Sequence, residues 1–130
     1  MAKVLGIGGF FYKSSDPAAT RVWYERVLGF KFESWGGLVF LPADMAAKDG
    51  SAMVWNVMDP DSDYPAPSTR DFMINLVVDD LDAMLARAKG AGVEPVKLAP
   101  DEGYGRFAHI IDPDGIKIEL WEPSAGAPTP

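Results

Sequence analysis

Three polar side chains stand in otherwise apolar runs: Asn75 in "FMINLVV" (72–78), His109 in "RFAHII" (106–111) and Glu119 in "KIELW" (117–121). A carboxylate inside an apolar strand is costly unless it is paired, hydrogen-bonded or bound to an ion. Glu119 therefore demands a partner, and His109 is the one histidine of the chain. Between the two runs lies the turn Asp112-Pro113-Asp114-Gly115. Proline at its second position and glycine at its fourth suit a type I turn closed by a left-handed glycine. Counted outward, that turn pairs Ile111 with Lys117, His109 with Glu119 and Phe107 with Trp121. A plain two-residue loop would instead pair Ala108 with Glu119 and send His109 to the other face. In the first register the carboxylate can set the imidazole tautomer, which makes His109 and Glu119 candidate catalytic residues, a general acid/base pair or a polar anchor for a ligand. The plainer alternative is a cross-strand ion pair that only braces a hairpin. Asn75 needs a neighbour, a water or a ligand to bond.

In a chain of 130 residues, one compact domain, or two half-size modules sharing one core, has to position these groups. With no cysteine there is neither a disulfide nor a thiolate metal site. Net charge is 12 − 19 = −7, with the basic residues scattered, which argues against a nucleic-acid partner. No apolar run reaches the roughly 18 residues of a membrane span. "MAKVLGIGGFF" lacks the apolar core of a secretory leader, so the expectation is a cytoplasmic protein with no membrane partner.

The chain carries an internal echo. "KSSDPAATRVWYERVLGFKFE" from Lys13 and "VVDDLDAMLARAKGAGVEPVK" from Val77 both run from a short strand into an acidic helix start, a helix, a glycine and a strand. Asp16 and Asp80 fall into register at an offset of 80 − 16 = 64 and suit N-caps, with Pro17 at the first helical position. Trp23, Val27 and Leu28 fit one face of the first helix, with Tyr24 at the margin and Gly29 as its end. Leu81, Met84, Leu85 and Ala88 recur at the spacing of an amphipathic helix. Strands are expected over 4–13, 30–35, 37–42 and 51–57 in the first half, with 42–50 as a loop, and over 72–78, 93–98, 104–111 and 116–122 in the second. The fold class is α+β: two βαβββ modules, about 1–58 and 71–123, joined by the proline- and acid-rich linker 59–70, with residues 124–130 as a disordered tail.

Smaller motifs carry little. "GIGGFF" opens no helix and so is no dinucleotide site. "DPDSD" lacks the glycine and glutamate spacing of a calcium loop. Ser14 and Ser15 have no local histidine to activate them. Phe11, Trp55, Met73, Phe107 and Trp121, joined by Asn75 and by Tyr104 from "DEGYGRFA", are the candidate ligand-binding residues of an adaptable aromatic lining. Core or interface packing is the plainer alternative for each.

The paired modules ending in "DPDGIKIELWEP" resemble the vicinal oxygen chelate superfamily, the group of glyoxalase I, fosfomycin-resistance enzymes, extradiol dioxygenases and bleomycin-resistance proteins. "GIGGFFYKSSDPAATRVWYERVLGF" is similar to its first module and "INLVVDDLDAMLARAKGAGV" to its second, so the likeness spans residues 4–123. It implies curved, mostly antiparallel sheets forming a cup with helices outside, and a homodimer that completes the cup. It favours the register that turns His109 inward. It also implies a metal in the catalytic members, held by four positions: here Gly9, Met73, Trp55 (Asn56 after a one-residue slip) and Glu119. Only Glu119 is a retained ligand, and a catalytic metal needs about three. No metal or other cofactor is expected; the alternative donor set is His109, Glu119 and an asparagine. The expected function is metal-independent binding of a small organic molecule in an aromatic cup. The alternatives are a lyase, isomerase or dioxygenase-type enzyme with a remodelled site, and an interaction module without a ligand.

Overall fold

The computed structural model describes residues 1–125, so most of the tail expected beyond Pro123 lies outside the described residues. In chain order the elements are α1 (Pro17–Leu28), α2 (Pro42–Ala46), β1 (Met73–Val77), α3 (Leu81–Gly90), β2 (Lys97–Ala99), β3 (Gly105–Ile111) and β4 (Lys117–Pro123). The fold is mixed α+β, with few helices and a curved, unclosed four-stranded sheet in the order β1-β4-β3-β2. β1 runs parallel to β4; the β2–β3 and β3–β4 pairs are antiparallel.

Local chemistry explains the two long helices. Asp16 accepts from Ala19 N at 3.1 Å and Asp80 from Ala83 N at 3.0 Å, each satisfying a donor that the first helical turn leaves orphaned. Gly29, in the left-handed region, closes α1. Tyr24, not Trp23, faces the core: Tyr24, Val27 and Leu28 are buried, while Trp23 sits half-buried at the edge. Together with Leu81 and Ala88 of α3 they cover one face of the sheet, formed by Ala108, Ile110, Ile118 and Leu120. Each large aliphatic side chain among them contributes about 1.5–3 kcal/mol by leaving water.

The β3–β4 hairpin is set by its turn. Asp112 Oδ1 accepts from Asp114 N at 2.9 Å and from Ile116 N at 2.8 Å. Gly115 takes φ +76°, where a side chain would be strained. The resulting ladder pairs Ile111 with Lys117, His109 with Glu119 and Phe107 with Trp121. The bulged turn wins over the two-residue loop because the Asp112 carboxylate accepts both backbone donors that the extra residue leaves free.

The first half departs from expectation. No strand forms over 4–13, 30–35, 37–42 or 51–57 among the described residues, and β2 starts at Lys97 rather than near 93. Part of the loop expected at 42–50 is the short helix α2. A turn forms at Glu33–Gly37, with Glu33 N donating to Gly37 O at 2.8 Å, but no ladder extends from it. Residues 4–9 and 53–55 border one depression of about 440 Å³ without strand pairing. The physical reason is missing cover. Val4, Leu5, Phe11, Trp55 and Val57 all face solvent, and strand propensity yields a strand only where a pleated face packs on something.

The 59–70 segment is no free linker. It folds as a strap of turns across the sheet face opposite the helices, called the inner face below. Lys117 Nζ holds it there, donating to Tyr64 O at 2.6 Å and Ala66 O at 2.8 Å. No helix among the described residues is long and apolar enough to cross a membrane.

Candidate functional site

The strand register that packs Ala108, Ile110, Ile118 and Leu120 against the helices turns Phe107, His109, Lys117, Glu119 and Trp121 to the inner face. Parallel pairing of β1 brings Asn75 opposite Glu119 and Met73 opposite Lys117. The three polar side chains singled out by sequence thus meet on adjacent strands. Asn75 Nδ2 donates to Glu119 Oε1 at 2.8 Å, and His109 Nε2 lies 2.6 Å from Glu119 Oε2. His109 is 1% and Glu119 9% exposed.

Tyr64 is the residue sequence reasoning missed. Its hydroxyl donates to Glu119 Oε2 and stands 3.5 Å from His109 Nε2, and the two rings pack T-shaped with centroids 5.4 Å apart. Lys97 Nζ and Lys117 Nζ lie 5.5 and 5.3 Å from its ring centroid, within cation–π range. One signal was available: Tyr64 is the sole aromatic residue in a stretch of prolines, acids and small polar residues.

The electrostatics follow from this crowding. Burial pushes the Glu119 carboxyl up, but the hydrogen bonds from His109, Tyr64 and Asn75 together outweigh it, so the group lies below the ordinary glutamate value. Burial, then the bond to Glu119 and its charge, push the Tyr64 phenol up. Burial and the neighbouring Lys97 pull the Lys117 ammonium down, against the opposing pull of Glu119 and Asp63. His109 Nδ1 is buried with no hydrogen-bond partner among the described residues.

The aromatic lining is assembled in part. Phe107 and Trp121 stack with ring centroids 5.8 Å apart and planes 4° from parallel. Trp121 is buried, and its Nε1 donates to Tyr104 O at 2.8 Å, so Tyr104 meets the site through its backbone. Gly105 permits this: a Cβ there would lie 2.9 Å from Trp121 Nε1 and closer still to Glu122 O. Phe11 and Trp55 are 91% and 82% exposed. Arg106 points to the helix side and forks onto Asp82 of α3 at 2.6 and 3.1 Å.

Both Glu119 oxygens already accept protein hydrogen bonds, and its ladder neighbours are Asn75 and His109. Among the described residues no three His, Cys, Asp or Glu side chains gather as an ion site.

Residues 7–120 match the family model of the Glyoxalase/Bleomycin resistance protein/Dioxygenase superfamily. The chain belongs to that superfamily. TioX from Micromonospora sp. ML1 has a similar fold, at 21% identity over 89% of this chain and 94% of that one, with a TM-score of 0.51. Two shorter alignments reach TnmS3, an antibiotic binding protein from Streptomyces sp. CB03234, and a glyoxalase/bleomycin resistance protein from Catenulispora acidiphila DSM 44928. The first is 39% identical over 39% of this chain, with a TM-score of 0.36; the second is 38% identical over 40%, with a TM-score of 0.37. These alignments span 41% and 47% of those chains, less than half of each. No curated protein matches the chain.

Proposed function

We propose that this superfamily member binds a small organic molecule on the inner face of its sheet, without a metal. One observation carries the reading: a buried carboxylate, fully engaged by protein donors, lies beside a stacked aromatic pair on the face turned away from the core. Ligand sites are commonly apolar surfaces with a few placed polar groups, and Phe107, Trp121, Met73, Asn75, His109 and Glu119 make such a set. Gly9 and Met73, at positions where catalytic relatives would hold an ion, offer no side chain and a thioether. The first half supplies the other wall of a two-module cup. A second copy of the chain covers its exposed apolar residues Val4, Leu5, Phe11, Trp55 and Val57, giving a homodimer.

The test is a thermal-shift and calorimetric screen of small organic compounds, with and without a chelator. At a hundredfold excess over Kd a bound ligand stabilises by about 2.7 kcal/mol. The expected result is saturable stabilisation that a chelator leaves unchanged. Binding that requires added zinc, iron or manganese, or none across a broad panel, overturns the proposal.

An enzyme of the lyase, isomerase or dioxygenase type draws on a different observation, the unpartnered Nδ1 of His109. A ring nitrogen without a protein partner has its proton site free, and a ligand that displaces the strap over His109 would be needed to reach it. Under that reading, His109→Ala and Glu119→Gln each abolish turnover of any substrate the panel reveals. Full turnover in both removes it.

A further inference from the structure

Tyr64 occupies the inner face as a ligand would, and its surroundings define what that face recognises. Its hydroxyl ends on Glu119 Oε2, its ring packs T-shaped with His109, and two ammonium groups attend the ring. The strap holding it is fixed through Lys117 to backbone carbonyls, and Tyr64 itself remains 43% exposed. We infer that the site takes a hydroxylated aromatic ring, a phenol, in the place that Tyr64 fills, so that the strap is a built-in occupant which the ligand displaces. This rests on the small-molecule reading above and names the chemical class.

Three features select a phenol over other small molecules. A buried carboxylate that accepts from Asn75 and His109 calls for a neutral hydroxyl donor and repels an anion. Lysine ammonium groups at 5.3 and 5.5 Å from the ring centroid favour an electron-rich ring and disfavour an amine. The buried imidazole, its centroid 5.4 Å from that of the Tyr64 ring and its plane at 78° to it, offers an aromatic ring a T-shaped partner. Beside Tyr64 a depression of about 360 Å³, lined by Asn56, Val57, Met58, Asp59 and Ser62, leaves room for substituents on such a ring.

The probe is p-cresol, which reproduces the tyrosine head group, with toluene as its hydroxyl-free counterpart. Both are titrated by calorimetry into the wild type, Tyr64→Gly and Tyr64→Phe. Removing the internal occupant should tighten p-cresol binding to Tyr64→Gly about tenfold or more over wild type, the worth of a hydrogen bond to a charged acceptor. Toluene should gain far less. Tyr64→Phe, which keeps the ring and guards against a misfolded glycine variant, should bind p-cresol more tightly than wild type because its own ring has lost the anchor. Equal p-cresol affinity in wild type and both variants, or equal affinity for toluene, overturns the phenol assignment. If other panel compounds bind while p-cresol shows no preference, the assignment falls and the broader reading stands. If nothing binds any of the three proteins, both fall.

Discussion

Residues 73–123 and residues 1–57 carry the same succession of strand and helix signals, yet only the former build a sheet. In the second half, α1 and α3 shield one face, and the strap through Tyr64 shields part of the other. β3 and β4 are largely buried on both sides as a result. In the first half α1 has been recruited to the second half's core, with Phe30 and Phe32 packed beside it, while the other apolar segments have no ladder and leave Val4, Leu5, Phe11, Trp55 and Val57 exposed. The contrast teaches that β-branched and aromatic composition is a request for a partner, and the sheet appears where that request is met.

The largest test of this contrast sets a core residue against an uncovered one. Ile118→Ala should cost about 2–5 kcal/mol in urea unfolding. Val57→Ser should stay within about 0.5 kcal/mol for dilute, monomeric protein. Its cost should grow only at concentrations where copies associate. Equal losses in dilute protein would break the distinction between the halves.

Next in size is the bond that ties α1 to the final hairpin, Tyr24 Oη to Asp112 Oδ2 at 2.7 Å. Tyr24→Phe leaves a buried acceptor short of a donor and should cost about 1–3 kcal/mol by the same denaturation. Asp16→Ala, which removes only the α1 cap, should cost about 0.5–2 kcal/mol. If the cap matters more than the hydroxyl, α1 is held by its own ends and not by docking.

Acid probes the inner face. Because the folded Glu119 carboxyl lies below its ordinary value, its contribution is fully present above the unfolded value of about 4.3 and is lost as pH falls through the folded value. Wild type should therefore lose stability more steeply than Glu119→Gln as pH drops from about 5. Parallel profiles would mean that the cluster of Tyr64, Asn75 and His109 does not hold the charge. The smallest effect is expected for Arg106→Ala, whose ion pair with Asp82 is exposed; the denaturation midpoint should not move measurably.

Much of the second half was legible in the sequence. The Asp-Pro-Asp-Gly turn dictates the His109–Glu119 register because its glycine and its first aspartate allow one bulged geometry. The helix caps at Asp16 and Asp80 were equally readable, since their signals lie within four residues. Periodicity puts Trp23 on the inward face and Tyr24 at its margin; the structure reverses the two, because both are aromatic and the distant Asp112 decides. The strap was misread for a related reason. Proline and acids in 59–70 describe its turns well, but the bonds that seat it come from Lys117 and Glu119, more than fifty residues away.

Asp114, in that same final turn, accepts from Ser15 N at 3.0 Å, Ser15 Oγ at 2.9 Å and Thr20 Oγ1 at 3.1 Å, across 99 positions in the first two cases. During synthesis the opening helix therefore emerges long before its mooring exists. At roughly 5–20 residues per second, it waits on the order of 5–20 s for the turn that receives it. Through that interval its greasy side lies bare, and shelter must come from elsewhere until the ribosome has passed Asp114.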